Sequence, residues 1–263
     1  MWGGVVTESM SALIARLAHA QKGRARGAPA YSIFVNRPVG RVLAAVAYKA
    51  GLSPNQVTLV SAAFTFTGIL LIALAPPSIL LGVAVWLLLA LGYAWDSADG
   101  QVARLRGGGS AGGEWLDHFV DAFKISSLHA AVLIGMARFW DLATPWLLVP
   151  ILFGVVANVT FFGMILNDLL RAKVGAESAH ARGGWSPLRA LVLLPTDYGI
   201  LCLVFATWGV APLFLGLYTA MLAAAAAFLA LAAVRWFRDV SRLDAAGPPA
   251  ADESAAQVGG AAE

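Results

Sequence analysis

Residues 57–75 read VTLVSAAFTFTGILLIALA, residues 78–95 read SILLGVAVWLLLALGYAW, and only Pro76-Pro77 separates them. Neither run contains a charged side chain. A helix that crosses a bilayer needs about 20 mostly apolar residues, so the pair reads as two successive crossings joined by a proline-broken turn. The rest of the 263 residues agrees, with 59% hydrophobic, 13% charged and a mean hydropathy of +0.75. Soluble domains carry roughly a quarter charged residues. The composition excludes a soluble globular enzyme, a disordered chain and a disulfide scaffold. Cys202 is the single cysteine, so no intramolecular bridge is available.

Working outward, four further stretches qualify as spans. They run over about 115–137, 145–166, 198–210 and 212–237. The stretch from Tyr198 to Val210 is short unless it begins within the preceding leucine run. The expected fold is therefore an all-α integral membrane protein with six transmembrane helices. Asn36 to Gly51, with Arg37, Arg41 and Lys49 among Val, Leu and Ala, reads as a basic amphipathic helix lying on the membrane. The N-terminus is no signal peptide, because Glu8 and Arg16 interrupt any apolar core. This divides the chain into a cytoplasmic extension (1–35), a membrane domain (36–243) and a disordered Ala/Gly/Pro-rich tail (244–263).

Charge sets the expected orientation. Seven Lys/Arg precede the first span, Arg104 and Arg106 fall between the second and third, and Arg171, Lys173, Arg182 and Arg189 follow the fourth. Arg235, Arg238 and Arg242 close the last span, whereas the opposite side has only Arg138. The positive-inside rule then places both termini in the cytoplasm of a multi-pass cell-membrane protein. The formal net charge of +3 reads as loop charge facing anionic lipid, not as a nucleic-acid footprint.

Four aspartates stand where the second and third spans meet. Asp96 and Asp99 are three apart, Asp117 and Asp121 four apart, so each pair shares a helix face. Carboxylates at membrane depth are costly and mark function. Two helices with their acidic ends at one surface aim all four at one point. Converging anions need cations, and with no Cys/His cluster nearby the site suits Mg²⁺ or Mn²⁺, with oxygens enough for two ions. The bland alternative is that some of these acids cap helices or pair with Arg104 and Lys124. Gly100 leaves room for a bulky ligand, and Arg104 suits a phosphate as well as topology.

Read together, Asp96-x2-Asp99-Gly100-x2-Ala103-Arg104-x8-Gly113-x3-Asp117-x3-Asp121 resembles the motif of the class I CDP-alcohol phosphotransferases, with all eight fixed positions present. The resemblance implies a six-span fold with an amphipathic N-terminal helix, and usually a homodimer. It implies an enzyme that moves the substituted phosphate of a CDP-linked donor, often CDP-diacylglycerol, to an alcohol and releases CMP. By position, Asp96, Asp99, Asp117 and Asp121 would hold the metals, and Asp121 would also take the acceptor's proton. Gly100, Arg104 and Ser110 match positions that contact the CDP portion, and Gly113 belongs to the same motif. Upstream, Ser53-Pro54-Asn55-Gln56-Val57-Thr58 resembles the family's Pro-Asn-x-x-Thr segment. Asn55 and Thr58 then face the donor nucleotide, or else Ser53 or Asn55 simply caps the first span.

The acceptor alcohol stays open. Many relatives that use a sugar-phosphate acceptor carry Arg or Lys directly after the last motif aspartate, where this chain has Ala122, with Lys124 two later. The Asp117-His118 pair is similar to one in the choline/ethanolamine branch. Two other classes remain: an enzyme joining soluble head groups, and a small transporter lined by the same carboxylates. Only an enzyme of this family releases CMP.

Overall fold

The computed structural model describes residues 8–21, 29–175 and 196–245, and among them the regular structure is entirely helical. In chain order the helices are α1 (Met10–Gln21), α2 (Arg37–Lys49), α3 (Pro54–Leu74), α4 (Ile79–Leu105), α5 (Ala111–Phe139), α6 (Leu148–Lys173), α7 (Tyr198–Phe205) and α8 (Ala211–Ala245). A π-helical turn, Ser32–Asn36, leads into α2, and a 3₁₀ turn, Thr144–Leu147, leads into α6. The protein is an all-α, multi-pass membrane protein. Five helical segments among the described residues are long and apolar enough to cross a bilayer: Pro54–Leu74, Ile79–Leu105, Ala111–Phe139, Thr144–Lys173 and Ala211–Arg242.

The stretch expected as the remaining span, Tyr198 to Val210, forms the eight-residue α7 followed by turns. Eight residues rise about 12 Å, against about 30 Å of hydrocarbon. The leucine run before it, Arg182, Arg189 and the tail from 246 onward lie outside the described residues.

Local chemistry explains the helix boundaries. Ser53 and Gln56 form a reciprocal capping box at the start of α3, so Ser53, not Asn55, is its cap. Pro76-Pro77 ends that helix, and Ser78 caps α4 by accepting from Leu81 N at 3.1 Å. The turn between α4 and α5 carries Gly107 at φ 96° and Gly108 at φ 140°, left-handed conformations that a side chain resists. Ser110 then caps α5, accepting from Gly113 N at 3.1 Å.

The expected amphipathic helix is α2. Val35, Val39, Val42 and Val46 lie on one exposed face of the turn and helix, while Gly40, Ala44 and Ala47 are buried on the other. There is room for only a hydrogen at Gly40, since a Cβ would meet Ser97 Oγ of α4 at 2.9 Å. Leu17 of α1 joins Ala44, Ala47, Val57, Ala98 and Val102 in one small cluster. The larger core lies toward the other end of the bundle. There Trp140, Phe205, Trp208, Phe214 and Tyr218 interlock, with Trp140 and Trp208 centroids 4.5 Å apart.

Candidate active site

The antiparallel path of α3, α4 and α5 brings the N-terminal end of α3, the C-terminal end of α4 and the N-terminal end of α5 to one end of the bundle. The last turns of α6 and α8 point the same way. Helix α4 continues ten residues past Trp95, so Asp96 and Asp99 sit inside a helix and not in the following loop. At 27 residues it is about 40 Å long, which carries its last turns beyond a hydrocarbon core of about 30 Å. The acids thus occupy the border between lipid and water.

Three of the four meet. Asp96, Asp99 and Asp117 each offer a carboxylate oxygen lying within 4.8 Å of the others. Asp99 is buried and the other two are half-buried. An all-oxygen donor set of this kind fits a hard divalent cation such as Mg²⁺ or Mn²⁺ and offers zinc neither sulfur nor imidazole.

Helix α3 holds the first pair in place. Thr58, Ser61 and Thr65 are all buried and follow one another at helical spacing on one face. Thr58 Oγ1 donates to Asp99 Oδ2 at 2.8 Å, and the Gly100 backbone N–H donates to Asp99 Oδ1. Ser61 Oγ donates to the Gly92 carbonyl at 2.9 Å and lies 3.5 Å from Asp96 Oδ1. The Thr58 hydroxyl therefore serves a carboxylate, a role its place in the Pro-Asn-x-x-Thr segment did not announce.

Asp121 stands apart from the trio. Its Oδ1 is 3.1 Å from Lys124 Nζ, and the same ammonium pairs with Asp96 and donates to Ser61 Oγ at 3.1 Å. Sequence reasoning offered Lys124 only as a generic partner for some aspartate. Its spacing was the available signal, because residues three apart share a helix face.

The other motif residues surround this cluster. A Cβ at Gly100 would meet only Arg104 Nη1, at 3.7 Å, so the side of α4 above Asp99 is open. Asn55 Oδ1 and Ser110 Oγ each lie 3.2 Å from where a Gly113 Cβ would stand, which places Asn55 against the first turn of α5. His118 points away toward Glu114, 3.9 Å from its carboxylate, and meets Phe161 edge-on.

Some polar residues belong elsewhere. His129 is buried, bonded through Nδ1 to the Tyr218 hydroxyl and stacked on Phe153, a packing role. Asp197 caps α7, accepting from Gly199 N at 3.0 Å, and also accepts from Ser32 N at 3.2 Å. Burial raises the Asp197 carboxyl above its ordinary value, against the pull of the backbone N–H groups of Gly199, Ser32 and Tyr31. Arg171, buried in the last turn of α6, pairs with Asp239 of α8 at 3.0 Å. Arg235, Arg238 and Arg242 line an open pocket beside that pair.

The family model for CDP-alcohol phosphatidyltransferases matches residues 51–237, most of this chain, and the aspartate cluster falls inside the match. The chain belongs to the CDP-alcohol phosphatidyltransferase family. One curated relative is the phosphatidylinositol phosphate synthase of Corynebacterium glutamicum, 40% identical over 93 residues that make up 35% of this chain and 41% of the relative. The aligned part thus spans less than half of that relative's length. Among solved structures, the Mycobacterium tuberculosis phosphatidylinositol phosphate synthase with CDP-DAG bound aligns over 78% of this chain and 93% of its own. The TM-score is 0.50 at 20% identity, a likeness of fold.

Proposed function

We propose that this protein transfers the phosphatidyl group of CDP-diacylglycerol to an alcohol and releases CMP, as a step of phospholipid synthesis. The observation that carries this reading is the convergence of Asp96, Asp99 and Asp117 at the lipid–water border of a chain in this family. A divalent ion held there, Mg²⁺ or Mn²⁺, supplies charge neutralisation for the donor diphosphate and for the departing CMP. A second ion would have to draw Asp96 and Asp121 away from Lys124.

The chain's own residues do the rest. Gly100 leaves the diphosphate a close approach to α4, and Arg104 offers its planar fork to a phosphate oxygen. Asn55, Ser110 and Gly113 form the neighbouring wall, suited to the cytidine side of the donor. Thr58 orients Asp99 and so acts on the site through it. The acceptor oxygen attacks the phosphatidyl phosphorus, the P–O bond to CMP breaks, and CMP leaves with the electron pair. Asp121, at the first turns of α5, receives the hydroxyl proton as that bond forms.

Arg171, Arg235, Arg238 and Arg242 sit at the same end of the bundle and favour an acceptor that itself carries a phosphate. The similarity to phosphatidylinositol phosphate synthases makes inositol phosphate the first acceptor to try. The catalytic unit is residues 36–243, with 1–35 and 244–263 as appendages. The membrane is the cell membrane, with both termini and the site on the cytoplasmic side, as the basic residues at this end favour. A homodimer is the expected assembly. The test follows labelled CDP-diacylglycerol into lipid product with inositol 1-phosphate, glycerol 3-phosphate, serine and inositol as acceptors. Product with the phosphate-bearing alcohols supports the reading. Product with serine or inositol alone overturns the acceptor class, and none with any acceptor counts against the donor.

A further inference from the structure

Lys124 lies outside the motif, yet it stands in the acidic cluster with only 10% of its side chain exposed. Its ammonium reaches Asp96 Oδ1, Asp121 Oδ1 at 3.1 Å and Ser61 Oγ at 3.1 Å. An ammonium has three N–H donors, and these three oxygens use them all. Ser61 can accept because its own proton goes to the Gly92 carbonyl. The arrangement is a complete cation site with the cation supplied by the chain.

A two-ion centre shares carboxylates between metals about 3.5–4 Å apart. Here the trio Asp96, Asp99 and Asp117 can close on one ion without Asp121. The second ion would need the oxygens of Asp96 and Asp121 at about 2.0–2.1 Å, and these are the atoms that face Lys124 Nζ. Two ions balance four carboxylates when nothing else is charged. With a lysine among them, a second ion leaves the buried cluster with excess positive charge, which an apolar surrounding penalises.

We propose that Lys124 is the resident second cation of this site, so that each chain binds one divalent ion on Asp96, Asp99 and Asp117 while Lys124 fills the other place and positions Asp121. This rests on the metal-dependent reading above. In the family's motif arithmetic the four aspartates alone suggest two ions; the lysine three residues after the last of them changes the count.

The experiment is Mn²⁺ titration of the full-length, metal-stripped protein in detergent, with bound metal measured by elemental analysis and free Mn²⁺ by its electron paramagnetic resonance signal. Wild type is expected to hold one tight ion per chain. Lys124→Met is expected to hold two and to gain the spin-coupled signal of a manganese pair, whereas Lys124→Arg, which keeps the charge, stays at one. Asp99→Asn is expected to weaken the single ion at least tenfold. Two ions on the wild-type chain, or one on a folded Lys124→Met, overturn the proposal and leave the carboxylate metal site standing. Undiminished binding in Asp99→Asn overturns the metal site itself. The wild-type count decides the matter even where Lys124→Met does not fold.

Discussion

Thr58 and Asp121 show how much one side chain decides here. The Thr58 hydroxyl, buried one turn into α3, is a donor to Asp99. Groups that orient a metal-binding carboxylate are worth 10–100-fold in metal affinity. Thr58→Val, which keeps shape and removes the donor, should therefore weaken Mn²⁺ binding about tenfold, as read by the same titration; unchanged affinity would mean that Asp99 needs no such support. Asp121 carries the other burden. A positioned general base contributes about 10²–10⁴-fold, so Asp121→Asn should lose at least a hundredfold in turnover while melting near the wild-type temperature. A variant that turns over at wild-type rates would remove Asp121 from the base role. Both residues were visible in the sequence as motif positions. The Thr58 contact was not, because a hydroxyl reports nothing of its partner across 41 residues of chain.

Helices succeed or fail here by how closely they approach. At Gly135 of α5 an added Cβ would lie 2.8 Å from Trp208 Cζ2 and closer still to the Ile72 carbonyl oxygen. Neither the indole, locked among Trp140 and Phe214, nor a helix backbone can yield. Overpacking typically costs about 1–3 kcal/mol, so Gly135→Val should lower the melting temperature in detergent, while Gly216→Ala, with open space around it, should not. Asp197 ties the turn before α2 to the start of α7. Removing both bonds in Asp197→Ala should cost about 1–2 kcal/mol, the scale of a lost N-cap. Asp197→Asn keeps an acceptor oxygen without the charge. Since burial raises this carboxyl, the fold favours its neutral form, and ionisation costs stability as pH rises. Asp197→Asn should thus melt at or above the wild-type temperature at neutral pH, and a clear fall would contradict that.

Apolar runs made α3, α4, α5, α6 and α8 legible, because lipid leaves the backbone no partner but itself and so turns hydropathy into helix. The ends were less legible. Helix α4 runs on through Gly100 to Leu105 by pairing its backbone internally, past the point where hydropathy falls. Helix α1 was not anticipated, since Leu13 and Leu17 announce little until α2 and α4 are there to bury them. The polar stripe Thr58, Ser61 and Thr65 was readable by its spacing; what it faces was not.

At the scale of the whole molecule, a bundle closed by aromatic packing at one end keeps an acidic, glycine-lined opening at the other. The exposed valine face of α2 suits a helix half-sunk in the interface beside that opening, where a lipid donor's diphosphate would lie. Replacing Val39 and Val46 together with Asp should therefore weaken extraction-resistant membrane attachment little, because five spans remain. The same change should raise the apparent KM for a lipid donor severalfold, as measured in mixed micelles. An unchanged KM would place α2 outside the donor's path.

The most direct measurement of the central claim is CMP release from CDP-diacylglycerol by the purified full-length protein, with and without Mg²⁺ or Mn²⁺, beside Asp121→Asn. The account predicts CMP formed only when metal and an alcohol acceptor are both present, and lost in the variant. CMP release that persists after chelation, or that is equal in Asp121→Asn, would contradict it.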